Sequence, residues 1–95
     1  MRFVWDLEKA EANRKKHGIT FEEVRTAFFD ALSQIYDDEE HSDDEERFIL
    51  IGESESNRLL VVCHCYRESD TVTRITSARK AERYERHKYE TGGMA

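Results

Sequence analysis

The sequence predicts an α+β fold: an antiparallel sheet, two N-terminal helices packed on it, and one C-terminal helix. Helix signals are confined to residues 7–32 and 78–90. Between them lie short β-branched runs broken by Ser, Asn, Asp and Glu, the pattern of hairpin-linked strands. A length of 95 residues suits one domain spanning 1–95.

Phe3-Val4-Trp5 reads as a short first strand. Asp6 is a good N-cap for a helix from Leu7 to His17. Glu8 near its start and Lys15, Lys16 and His17 near its end suit the helix dipole, and Gly18 supplies a left-handed stop. Thr20-Phe21-Glu22-Glu23 is a capping box, with Ile19 and Val24 as its hydrophobic staple. Phe21, Val24, Ala27, Phe28 and Leu32 then recur at helical spacing and predict a stripe facing the sheet. Strands are expected over 33–36, 47–52, 58–67 and 71–77, with turns at 54–57 and 68–70. The run Leu59-Leu60-Val61-Val62 is apolar on both faces, which makes its strand central. A last helix is expected over 78–90, stopping near Gly92. Its only apolar residues are Ala81, Tyr84 and Tyr89, so alone it buries little.

The net charge is −6, but its distribution matters more. Of 21 acidic residues, eight fall within 37–46, and the other 13 face 15 Lys and Arg. Residues 74–90 hold six bases and three acids, so the C-terminal third offers a phosphate-attracting surface. The N-terminus meets a charge before any apolar run, and the longest apolar run, 59–63, is too short to span a bilayer. A cytoplasmic protein with no membrane partner is expected. Cys63 and Cys65, two apart on a strand, sit poorly for a mutual disulfide and read as reduced thiols.

Neither a nucleotide-binding glycine loop nor a Gly-x-Ser-x-Gly elbow is present. In Cys63-His64-Cys65 the histidine points away from both sulfurs, and the acidic block lacks the mid-loop glycine of a calcium loop. No metal and no other cofactor is expected. What remains is a basic constellation: Arg67, Arg74, Arg79 and Lys80, with His64 on the preceding strand and Tyr84 and Tyr89 downstream. Guanidinium forks suit phosphate, and aromatic rings stack on unpaired bases. A helix starting at 78 would make 77–80 an anion seat. Plainer readings stand beside these. Arg74 could pair with Glu53, and Arg79 or Arg86 with Glu82. His64 stands between a core-edge residue and an acid–base group, and His17 suits a helix C-terminus as well as catalysis.

From end to end the chain resembles the BrnT toxins of bacterial type II toxin–antitoxin systems. The opening block is Phe3-x-Trp5-Asp6-x-x-Lys9-x-x-x-Asn13-x-x-Lys16-His17-Gly18-Ile19-Thr20-Phe21-Glu22-Glu23. His41-Ser42 and Glu46-Arg47-Phe48 form the middle block. The closing block is Arg74-Ile75-x-Ser77-Ala78-Arg79-Lys80-Ala81-x-x-x-Glu85-x-x-x-Tyr89. Two departures stand out: Ala31 follows Asp30 where the family often has proline, and two cysteines flank His64.

The resemblance implies a RelE-like ribonuclease fold and RNA cleavage that arrests translation and growth. It also implies neutralisation by a ribbon-helix-helix antitoxin and joint repression of the operon, with operator DNA reached only through the antitoxin. Metal-independent cleavage by the substrate's own 2′-hydroxyl needs cations around the phosphate and groups that move protons. Arg74 and Arg79 would grip one phosphate, with Arg67 a third candidate. Lys80 or His64 would handle protons, and Tyr89, Tyr84, Lys16 and His17 would contact RNA. The acidic block is expected to meet basic residues of the antitoxin or to stay disordered in free toxin. The alternative is a catalytically inactive module that binds antitoxin or RNA.

Overall fold

A computed structural model describes residues 1–41 and 45–92. The elements follow in the order β1 (Arg2–Val4), α1 (Leu7–His17), α2 (Phe21–Ala27), β2 (Gln34–Asp37), a 3-10 turn (Glu39–His41), β3 (Phe48–Glu53), β4 (Leu59–Arg67), β5 (Val72–Lys80) and α3 (Arg83–Glu90). The strands form one sheet in the order β1-β5-β4-β3-β2. All neighbours are antiparallel except β1, which runs parallel to β5. The doubly apolar β4 lies at the centre, as its sequence predicts.

One face of the sheet carries α1 and α2. Their core joins Ile19, Phe21, Val24 and Ala27 to Leu50, Leu60, Val62, Ile75 and Ala78. The predicted caps set these helices. Asp6 Oδ1 accepts from the N–H of Glu8 at 2.8 Å and of Lys9 at 3.1 Å, and Gly18 takes φ 70°. Thr20 Oγ1 accepts from the Glu23 N–H at 3.2 Å. Glu23 does not return the bond. Its carboxylate accepts instead from Ser54 Oγ at 2.7 Å and from Arg58 Nε at 2.9 Å, which ties α2 to the β3–β4 turn. Buried Asn13 joins α1 to the sheet: its Nδ2 donates to Ile19 O and its Oδ1 accepts from the Ala78 N–H, both at 3.0 Å.

The helix ends at Ala27 and Phe28, just after it, still packs against this core, but Leu32 is no part of the stripe. Asp30 Oδ1 takes the Leu32 N–H at 3.0 Å, the chain turns, and Leu32 is left 69% exposed. On the opposite face Ile51, Leu59 and Val61 pack with Tyr36, Ile49, Ala81 and Tyr89. There α3 is fastened by Tyr89, whose hydroxyl donates to Asp30 Oδ2 at 2.6 Å, and by Lys88, whose Nζ sits 3.7 Å above the Tyr36 ring.

One further expectation is corrected, and one irregularity appears that the sequence does not announce. First, β5 continues to Lys80 and the last helix starts at Arg83, not at 78. The edge of β4 supplies partners that far: Arg79 lies opposite Val61, Lys80 opposite Leu60, and the Ala81 N–H donates to Leu59 O at 2.9 Å. Residues 77–80 are therefore strand, not a helix N-terminus. Second, β5 bulges. Cys63 faces Ser77 while His64 faces Ile75, so Thr76 is the extra residue, and its hydroxyl donates to Cys63 O at 2.9 Å. No helix among the described residues is long and apolar enough to cross a membrane. Residues 42–44 of the acidic block, and with them much of the expectation placed on that block, lie outside the described residues.

Candidate active site

The bulge decides which arginines share a face. Arg74 and Arg79 are five apart, and on a regular strand they would point to opposite sides. With Thr76 extruded, Arg79, Ser77, Arg74 and Val72 all pair with the odd-numbered residues of β4, from Val61 to Arg67. That face is the one covered in part by α3.

Near α3 this face forms a cleft. Val61, Ser77 and Arg79 line it from the sheet, Tyr84 and Glu85 from α3, His17 from the end of α1, and 37–40 from the acidic segment. Glu85 is only 5% exposed. Arg79 meets it end-on, Nη1 to Oε1 and Nη2 to Oε2, both at 2.7 Å. Glu85 Oε1 also accepts from the Glu82 N–H at 2.8 Å, the bond that starts α3. Burial alone would push the Glu85 carboxyl up, but Arg79 and the Glu82 N–H together hold it below the usual carboxylate range. Arg79 Nη1 donates further to Lys80 O at 3.3 Å. A guanidinium has five N–H groups. Among the described residues, the Nε–H and the outer Nη2–H of Arg79 have no partner. These two lie along one edge of the fork, the geometry that meets two phosphate oxygens.

Of the residues singled out from sequence, the structure brings Arg79, Tyr84 and His17 to this cleft. It does not gather the arginines around one point. Arg74 lines a separate pocket at the β1–β5 edge with Arg67 and Arg2, and Arg67 pairs with Glu45 at 3.1 Å. Lys80 points to the α1–α2 face, opposite Leu60, away from Arg79. Lys16 is exposed on α1 and lines neither pocket. Tyr89 spends its hydroxyl on Asp30 and packs with Ile51, Leu59 and Val61.

His64 resolves to the core reading. It is fully buried on the α1–α2 side, its ring 4.9 Å from Phe28, 5.2 Å from Tyr66 and 6.1 Å from Phe48. Val62 O can only accept, so Nδ1 carries the proton towards it at 3.4 Å, and Nε2 accepts from the Tyr66 hydroxyl at 3.1 Å. Burial pushes the imidazole down to about 4, so it is neutral and sealed off from the arginine face. A proton-transfer role for it does not fit this geometry. Arg79 pairs with Glu85, not with Glu82, and Glu53 lies opposite Leu59 on β3, not beside Arg74. Sequence reasoning missed Glu85 as the partner. Its signal was a Glu three residues after Glu82, the spacing of a capping box.

The sequence model of a family described as "Ribonuclease toxin, BrnT, of type II toxin-antitoxin system" matches residues 5–85. The chain belongs to the BrnT toxin family. The BrnT match takes in His17, Arg74, Arg79 and Glu85 and stops before Tyr89. No curated protein sequence matches the chain. Among solved structures, the ribonuclease toxin BrnT of Brucella abortus superposes with a TM-score of 0.66 at 20% identity, over 87% of this chain and 99% of that one. At that identity the likeness concerns the fold, and this BrnT family member shares it: three helices and a mostly antiparallel five-stranded sheet.

Proposed function

We propose that this chain is a metal-independent endoribonuclease with its reaction centre in the cleft between β5 and α3. The observation that carries this is the half-occupied fork of Arg79. Glu85 fixes its end, and its unpartnered edge remains for a phosphate. In the reaction the substrate's 2′-oxygen bonds to the adjacent phosphorus and the bond from phosphorus to the 5′-oxygen breaks, leaving a 2′,3′-cyclic phosphate and a new 5′-hydroxyl. Arg79 stabilises the phosphorane. Of the groups that line the cleft, His17 accepts the 2′-hydroxyl proton and the Tyr84 hydroxyl supplies the proton to the leaving 5′-oxygen. Growth arrest follows from loss of translatable RNA. A ribbon-helix-helix antitoxin neutralises the toxin in the cytoplasm and carries it to the operator as co-repressor.

A second reading has its own support. Asp37, Glu39, Glu40 and Glu85 line the same cleft as Arg79, and their carboxylates repel a phosphate and attract a basic partner segment. On that reading the cleft only binds antitoxin. Purified chain incubated with total RNA in EDTA separates the two. Cleavage by wild type, lost in Arg79→Ala, supports the enzyme. Intact RNA with undiminished antitoxin binding removes it.

A further inference from the structure

We propose that the pocket at the β1–β5 edge is a second phosphate subsite, which holds the RNA strand one or more nucleotides from the scissile linkage. The inference rests on the ribonuclease reading and deepens it. Arg74 lines this pocket together with Arg2, Arg67 and Trp5, and with the carboxylates of Asp6 and Glu68. It is half-buried between β1 and β4 and lies opposite Val4 on one side and Cys65 on the other, and its side chain has no hydrogen bond or ion pair to any described residue. A guanidinium held in a concave site without an acceptor is a donor set waiting for an anion.

Two more guanidiniums stand at its rim. Arg2 reaches Glu68 only at 3.4 Å, with both side chains 66% exposed. Arg67 pairs with Glu45 in a partly exposed bridge. Such solvent-facing pairs hold their partners weakly and release them to a better anion. Trp5 adds an aromatic wall, and its ring is fixed edge-on against Phe21 at 5.9 Å. A base beside the bound phosphate can stack there.

Position along the strand gives the subsite its role. Arg74 and Arg79 share a face only because of the bulge at Thr76. Five residues of strand separate their Cα atoms by about 15 Å. Glu85 holds the Arg79 guanidinium in the cleft beside α3 while Arg74 lines the other pocket, so the two do not converge on one phosphodiester, whereas a strand laid along this face meets both. The two pockets therefore read successive parts of one polyanion.

The test uses 2′-O-methyl oligonucleotides of two and eight residues, which lack the attacking hydroxyl, with binding followed by fluorescence anisotropy over a salt series. Arg74→Gln is expected to weaken the octamer about tenfold, the worth of one charge-assisted contact, and to lower the salt slope by about one. The dinucleotide should lose less. Arg74→Lys should keep the slope, because it keeps the charge. Arg2→Glu, at an exposed position, should repeat the length dependence and carries the test if Arg74→Gln folds poorly. Equal losses at both lengths would put Arg74 in the reaction centre and overturn the subsite. So would an octamer bound as tightly by both variants as by wild type, including the case in which only antitoxin affinity falls. Wild type that binds neither length sinks the ribonuclease reading itself, a distinct failure.

Discussion

Arg79 and Glu85 are six residues apart and joined by two hydrogen bonds of 2.7 Å, so the pair closes the angle between β5 and α3. Glu85 is the buried member, while the Arg79 side chain is 39% exposed. The pair therefore does two jobs: it starts the helix through the Glu82 N–H, and it holds the arginine in a fixed pose. Glu85→Gln should cost about 2 kcal/mol in urea unfolding, less than a fully buried ion pair, because water reaches one partner. The carboxyl is held below its usual range in the fold, so its contribution is present above that range and fades as pH falls through it. In Glu85→Gln this part of the acid dependence should vanish. A variant with wild-type stability at every pH would show that the pair contributes nothing.

Tyr89 tests whether an aromatic at the chain's end serves RNA or the fold. Its hydroxyl donates to Asp30, which also takes the N–H of Glu53 at 2.9 Å and of Leu32 at 3.0 Å. One carboxylate thus joins α3, β3 and the turn after α2. Burial and the Asp30 charge push the phenol up to about 12. Tyr89→Phe should lower stability by about 1 kcal/mol, the worth of a hydrogen bond to a charged acceptor set against the small loss of one hydroxyl. Thermal melting should show the drop. An unchanged melting temperature would mean that α3 is held by other contacts.

These two pairs show why sequence reading stopped where it did. The helix starts at Asp6 and Thr20 were legible because their signals are local: a cap residue and the amide it serves lie within three positions. The central strand was legible from its apolar run. By contrast, 78–81 is Ala-Arg-Lys-Ala, which favours helix on local propensity. The neighbouring edge of β4 overrides it, and nothing in those four residues reports that edge. The Thr76 bulge is equally silent, yet it decides the face on which Arg74 sits. Asn13, Asp30 and Glu85 act through partners distant in sequence or hidden behind a nearer candidate. Arginine-rich composition was visible, but its division between two pockets was not.

At Gly52 the end of α2 comes close against the sheet. A Cβ there would sit 2.8 Å from Ala27 O, 3.0 Å from Leu50 Cδ2 and 3.2 Å from Ser33 Cβ. The first clash is with backbone, which cannot swing aside. Gly52→Ala should therefore destabilise by about 1–3 kcal/mol, the range for overpacking, despite the β-strand setting in which alanine is otherwise the better residue. Chemical denaturation measures it. A stabilised variant would mean that α2 moves off the sheet at little cost.

His64 gives the fold an acid limit unconnected with the cleft. In the unfolded chain an imidazole takes up its proton near pH 6.5. In the fold it does so only at about 4, because Phe28, Phe48 and Tyr66 enclose it and exclude water. The unfolded state therefore binds more protons between these values, and stability must fall as pH drops through that window. The loss should reach about 3 kcal/mol by pH 4, and above pH 7 the residue should have no effect on pH dependence. Urea titrations at pH 7, 5.5 and 4.5, on wild type and His64→Gln, would read it, the glutamine keeping a polar group near Tyr66 without the proton site. The wild-type curve should fall more steeply than the variant's. Parallel curves, or an imidazole NMR titration centred near pH 6.5 in the folded protein, would mean that water reaches His64 after all.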